Sequence, residues 1–96
     1  MTVQVVRNDL ESRYDLFVDG TLAGFADYRD EANRTLFTHT EVFKEYRGGG
    51  NAQTLAAESL ADAVSRGRVI VPLCPFIGGY LKRHDVPGAR VDWPEA

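Results

Sequence analysis

The hydrophobic pattern changes its period once, at Arg47-Gly48-Gly49-Gly50, and that change constrains the fold more than any other feature. Before it, apolar residues alternate as on a pleated strand; after it, they recur every three or four positions as on a helix against a core. Residues 3–7 carry Val3 and Val5 on one face and end at Asn8-Asp9. "RYDLFVDG" sets Tyr14, Leu16 and Val18 on one side of a pleat and closes on Asp19-Gly20, a hairpin dipeptide. "LAGFADYRD" alternates Ala23 and Phe25 with Gly24 and Ala26. After a polar turn, "RDEAN", the segment "RTLFTHTEVF" puts Phe37, His39 and Glu41 on one face and Leu36, Thr38, Thr40 and Val42 on the other. Four strands of one antiparallel meander are expected.

Beyond the glycines, Ala52, Leu55, Ala56, Leu60, Ala63 and Val64 keep helical spacing, and Asp62 and Arg66 form an i,i+4 pair on the polar side. Gly67 stands where a C′ glycine stops a helix. "RVIVPL" suits a strand buried on both faces, and Pro75 suits the first turn of a second helix, "PFIGGYLKRH". Residues 85–96 form a tail for which Trp93 is the candidate anchor.

Ninety-six residues with 44% hydrophobic content make one domain, spanning 1–96, with one core. A chain of this size buries only about two-thirds of its unfolded surface, so a homodimer would add stability. A net charge of −3 argues against nucleic-acid binding through bulk electrostatics, although Lys82-Arg83-His84 is locally basic. No apolar run is long enough to span a membrane and the start is not that of a signal peptide, so a cytoplasmic protein without membrane contact is expected. Cys74 is the single cysteine, which leaves no internal disulfide and no cysteine-based metal site.

A glycine run between strand and helix has two readings. It is a plain turn, or it lets a phosphate approach the unpaired N–H groups and partial positive charge of the helix start. Arg47-Gly48-Gly49-Gly50-Asn51-Ala52 fits the pattern Arg-x-x-Gly-x-Ala/Gly, and residues 39–84 as a whole resemble the short, single-domain branch of the GCN5-related N-acetyltransferases. The resemblance implies an α/β (α+β) fold: a mixed, mostly antiparallel central sheet of about five to six strands with two main helices, in the order β-β-β-β-α-β-α. It implies acetyl-coenzyme A as the cofactor. The amides from Arg47 through Gly48, Gly49, Gly50 and Asn51 to Ala52 would hold its pyrophosphate. Its pantetheine arm would lie between the fourth strand, ending at Val42, and the strand at 69–72, near Cys74. Asp9 to Arg13 leaves no room for the acceptor-side helices of full-size relatives.

Acetyl transfer needs a held thioester, a neutral amine, oxyanion stabilisation and a proton for the departing thiolate. His39 and Glu41, two apart on one strand, read either as a base pair for the amine or as a surface pair. Tyr80 reads as an acid for the thiolate, by resemblance, or as part of the apolar stripe of Phe76, Ile77 and Leu81. Cys74, before a helix-opening proline, is a candidate nucleophile or a small buried residue. The expected activity is direct acetyl transfer to a small-molecule or protein amine. The alternative is a coenzyme A-binding module with weak or no catalysis, and an interaction domain ranks third because it leaves the glycine loop unexplained.

Overall fold

The computed structural model describes residues 2–94. It contains β1 (Val3–Asn8), β2 (Arg13–Val18), β3 (Thr21–Glu31), β4 (Arg34–Val42), a 3-10 turn (Lys44–Tyr46), α1 (Asn51–Ser65), β5 (Val69–Pro72) and α2 (Pro75–Arg83). The strands form one sheet in chain order, antiparallel from β1 to β4, with β5 parallel to β4. The mixed architecture and the element order are those the sequence leads one to expect.

Local chemistry sets the boundaries. Asp19 and Gly20 both adopt positive φ, 50° and 81°, the geometry of a two-residue hairpin turn. The β3–β4 turn is tighter than the expected "RDEAN", because Glu31 pairs with Arg34 and only Ala32 and Asn33 lie outside the ladder. Polar residues extend the hairpin there: Arg29 Nε donates to Glu31 at 3.0 Å and Thr35 Oγ1 to Asp30 at 2.6 Å. At the end of α1, Gly67 has φ 71°; its N–H bonds Val64 O, and that of Arg68 bonds Ala63 O, satisfying carbonyls the helix leaves open.

Leu55, Leu60 and Ala63 of α1 pack with Ile77 of α2 against Tyr14, Leu16, Phe37 and Ile70 in one cluster, all at 0–1% exposure. Two register shifts decide which side chains join it. Leu16 pairs with Gly24 but Phe17 with Leu22, so Ala23 is extra; Asp27 pairs with His39 but Tyr28 with Phe37, so Thr38 is extra. One extra residue moves everything beyond it to the opposite face. Phe37 is therefore core while His39 and Glu41 are outside it, which corrects the single face expected for the three. Ala23 and Ala26 likewise join the core and Phe25 does not. Phe25 lies on the sheet beside His39 and Phe43, with ring centroids 6.1 and 6.2 Å away.

A polar network pins α1 to the strands. The expected Asp62–Arg66 pair is absent, because both residues reach across the sheet instead. Asp62 accepts from Arg7 Nη1 and Tyr14 Oη, each at 2.7 Å, and Arg66 donates to Asp30 at 3.1 Å. Burial, with the Asp9 carboxylate beside it, pushes the Tyr28 hydroxyl up to about 12. Burial opposes the charged form of Asp30, but hydrogen bonds from Thr35 and Arg66 and the charges of Arg68 and Arg66 outweigh it and hold the carboxyl below its ordinary value. The tail adds one parallel bridge: Ile70 N–H donates to Arg90 O and Asp92 N–H to Ile70 O, both at 2.8 Å, and Trp93 lies against Gly78 and Lys82. Residues 95 and 96 of the expected tail lie outside the described residues.

No helix among the described residues is long and apolar enough to cross a membrane, and no group of three or more His, Cys, Asp or Glu among them is placed to hold a metal.

Candidate active site

The site begins where β4 and β5 part. Their pairing covers only Arg34–Phe37 against Val69–Pro72, and β5 is four residues long. Past Pro72 the chain turns: Cys74 N–H donates to Phe37 O at 2.8 Å, and Pro75, which has no N–H, opens α2. The stretch of β4 from Thr38 to Val42 is thus left without a strand beside it, and a cleft of about 530 Å³ opens there. His39, Thr40, Glu41 and Val42 form one wall, with Ala52 and Phe76 opposite.

A second recess of about 450 Å³ is lined by Gly48, Gly50, Asn51 and Gln53. The two share Val42, Arg47 and Ala52, so together they form one groove from the β4 edge to the start of α1. Gly48 and Gly50, on either side of Gly49, have φ 85° and 80°, which a residue with a Cβ adopts only under strain. Gly50 is the N-cap of α1 and offers no side-chain acceptor. Among the described residues, no protein group accepts from the N–H groups of residues 48–53; the first bond of the turn is Thr54 N–H to Gly50 O at 3.0 Å. Such a nest of free donors at a helix start is a ready anion site.

Arg47 Nε donates to Val42 O at 2.8 Å, which lays its side chain across the junction of the two recesses. Asn51 is buried and its Nδ2 donates to Tyr46 O at 2.9 Å, so its side chain braces the loop. His39 Nε2 and Glu41 Oε1 are 3.5 Å apart, both side chains about half exposed at the cleft. Thr40, between them, accepts the Cys74 thiol at 3.5 Å. Cys74 is 5% exposed and does not line the cleft; it sits behind Thr40. Tyr80, its ring 4.2 Å from that of His84, lines a small adjoining recess with Arg83, Phe76 and Gln53, the last two shared with the groove.

The structure therefore brings His39, Glu41, Val42, Arg47, Gly48, Gly50, Asn51 and Ala52 together along one groove, and leaves Gly49, Cys74 and Tyr80 outside its lining. Thr40, Gln53 and Phe76 join it without having been singled out from the sequence. Phe76 had read as core, and Thr40 carried no chemical signal at all.

A family model described as GCN5-related N-acetyl-transferase matches residues 13–89. Two solved N-acetyltransferase structures are similar. The PaiA N-acetyltransferase from Thermoplasma acidophilum, in complex with coenzyme A, superposes with a TM-score of 0.54 at 24% identity, over 59% of this chain and 36% of that one. The ribosomal-protein-alanine N-acetyltransferase from Brucella melitensis biovar Abortus 2308 superposes with a TM-score of 0.59 at 25% identity, over 88% of this chain and 65% of that one. The chain thus spans less than two-thirds of the length of either structure. No curated protein matches it.

Proposed function

Because the chain belongs to the family of GCN5-related N-acetyltransferases, we propose that it is a single acyl-coenzyme A-binding domain that passes the acetyl group of acetyl-coenzyme A directly to an amine. The observation that carries this reading is the continuous groove joining the free amides of residues 48–53 to the unpaired edge of β4. Diphosphate suits the first end, because several N–H groups and the α1 dipole converge where no protein acceptor competes. The amide-bearing pantetheine arm suits the second, because Thr38–Val42 offers strand-edge hydrogen bonds of the kind a neighbouring strand would take. Ala52, small and shared by both recesses, leaves the passage open.

In this reading Val42 and the glycines hold the donor, and the β4 main chain stabilises the charge developing on the carbonyl oxygen. The amine nitrogen attacks the thioester carbon and the carbon–sulfur bond breaks. Glu41, with His39 beside it, takes the proton released by nitrogen, directly or through water, and that proton returns to the departing thiolate. Tyr80, in a recess that shares Phe76 and Gln53 with the groove, is the candidate acid for the thiolate on the α2 side. Cys74 acts through Thr40 as part of the floor, not as a nucleophile. The acceptor is a small-molecule amine or an exposed amine of a protein, and the proposed location is the cytoplasm.

One observation favours a second reading, a coenzyme A-binding module with little catalysis. Only the turn between Asn8 and Arg13 joins β1 to β2, so among the described residues no helix stands between these strands to help enclose an acceptor. Titration calorimetry with acetyl-coenzyme A and with ADP, on the wild type and on Ala52→Phe, followed by thiol release with a panel of amines, separates the two. The enzyme reading expects binding that needs the pantetheine arm, fails in Ala52→Phe, and leads to amine-dependent thiol release. Binding without release under any acceptor supports the module, and no binding overturns both.

A further inference from the structure

The sheet has two edges, and they are treated differently. Beyond β5 the tail adds a bridge at Val91, whereas β1 at the other edge pairs, among the described residues, only with β2. Natural edge strands are normally guarded by proline, lysine, a bulge or a covering segment. β1 reads "VQVVRN", pairs without interruption from Val3↔Val18 to Asn8↔Arg13, and leaves Val6 49% exposed. Beside it runs a furrow made of two recesses of about 320 and 460 Å³ between β1 and α1. Its helix wall is Thr54, Glu58, Ala61, Asp62 and Ser65, whose spacing makes a single stripe along α1. An extended segment laid on β1 would pair the free strand edge and drop alternate side chains into this furrow.

We propose that the segment is β1 of a second copy of this chain, added antiparallel about a two-fold axis at Val5, so that two sheets become one of ten strands. The strand is self-complementary in that register. Val5 faces Val5, Gln4 faces Val6, Val3 faces Arg7, and no like charges stand opposite one another. Each second-copy Arg7, while still bonded to its own Asp62 and Asp9, brings its positive charge beside Val3 on the side of Glu58, which lines both recesses and has no ion pair among the described residues. A shared edge is also what a domain this small gains most from. The groove at β4 lies toward the opposite edge and stays open in such a dimer.

Sedimentation over a range of concentrations tests the proposal on the wild-type chain and on the double variant Gln4→Lys, Val6→Lys. The variant places lysines opposite lysines across the two-fold at positions already exposed. The wild type is expected at twice its 10.7 kDa mass at high concentration and the variant at once that mass, with unchanged unfolding temperature at high dilution. Gln4→Cys with Val6→Cys is expected to crosslink into a covalent dimer on oxidation, which reports the register. A wild type that stays monomeric, a lysine variant that still doubles, or a foreign chain recovered on β1 overturns it. Acetyl-coenzyme A binding, measured alongside, is expected to be the same in both, so failure of the dimer leaves the function reading untouched.

Discussion

Gly24→Ala tests how the sheet shapes the groove. Gly24 of β3 pairs with Val42, and a Cβ there would lie 2.9 Å from Val42 Cα and closer still to the Glu41 carbonyl oxygen. Both are main-chain atoms, so no rotamer change relieves the contact, and β4 has to retreat by about half an ångström or more. Overpacking of this kind costs about 1–3 kcal/mol, offset by about 0.5–1 kcal/mol from the lost freedom of glycine in the unfolded chain. The net loss lies between about 0 and 2.5 kcal/mol, centred on about 1.3, or a fall in Tm on the order of 5–10 °C for a domain of this length. The residues displaced, Glu41 and Val42, are the groove wall, and misplacement by about 1 Å costs roughly a hundredfold in rate. Urea unfolding measures the first effect; calorimetry and thiol release, at a temperature where the variant is folded, measure the second. Gly78→Ala is the control: its Cβ would meet only Trp93 and Pro72 at 3.7 and 3.9 Å, so it is expected to gain about 0.5–1 kcal/mol of helix stability. A Gly24→Ala protein as stable as wild type, or one that binds and turns over normally once folded, refutes the reasoning.

Glu41→Gln is expected to lower kcat by about 10²–10⁴-fold with acetyl-coenzyme A affinity unchanged; an unchanged kcat removes Glu41 as the base. Cys74→Ala is expected to keep turnover within a few-fold while losing about 1 kcal/mol of stability with the thiol's packing and its bond to Thr40, and a dead but folded variant would restore the covalent route. The depressed carboxyl of Asp30 contributes stability that is complete above the unfolded value near 3.8 and is lost as pH falls through the lower folded value. Asp30→Asn should therefore be less stable than wild type at neutral pH and should close that gap below about pH 4, as followed by urea unfolding across pH.

Most of the fold was legible because its signals are local. Tyr14, Leu16 and Val18 alternate, Asp19-Gly20 has one good backbone solution, and Leu55 to Ala63 keep a helical repeat that Gly67 ends, so each element announces itself without reference to the others. The misreadings share one cause. The two extra residues, Ala23 and Thr38, exist only relative to a partner strand, and nothing in their own neighbourhood marks them. Each reverses the parity of the residues beyond it, which is why Phe37 and His39 read as one face and occupy two. Asp62 and Arg66 misled for the same reason: their spacing fits an i,i+4 pair, but Arg7, Tyr14 and Asp30, brought close by the sheet, are the stronger partners.

The candidate site divides along the same line. The Arg47–Ala52 loop was legible because its requirement is a property of its own main chain, two left-handed positions before a helix with unpaired amides. Glu41 and His39 came out as neighbours because period two puts i and i+2 together whatever the register. Cys74 was read from its place before Pro75 and Tyr80 from the family resemblance, and the exposure of both depends on how α2 seats against β4. Cys74 N–H is held by Phe37 O and the thiol turns to Thr40, so the start of the helix presses the sulfur onto the strand instead of presenting it to the cleft. Phe76, two residues on, lines the cleft together with Ala52. The same hydrogen bond from Cys74 to Phe37 also ends the β4–β5 pairing. Cys74 thus stands where the β4–β5 pairing ends, with its main chain bonded to Phe37 and its thiol to Thr40.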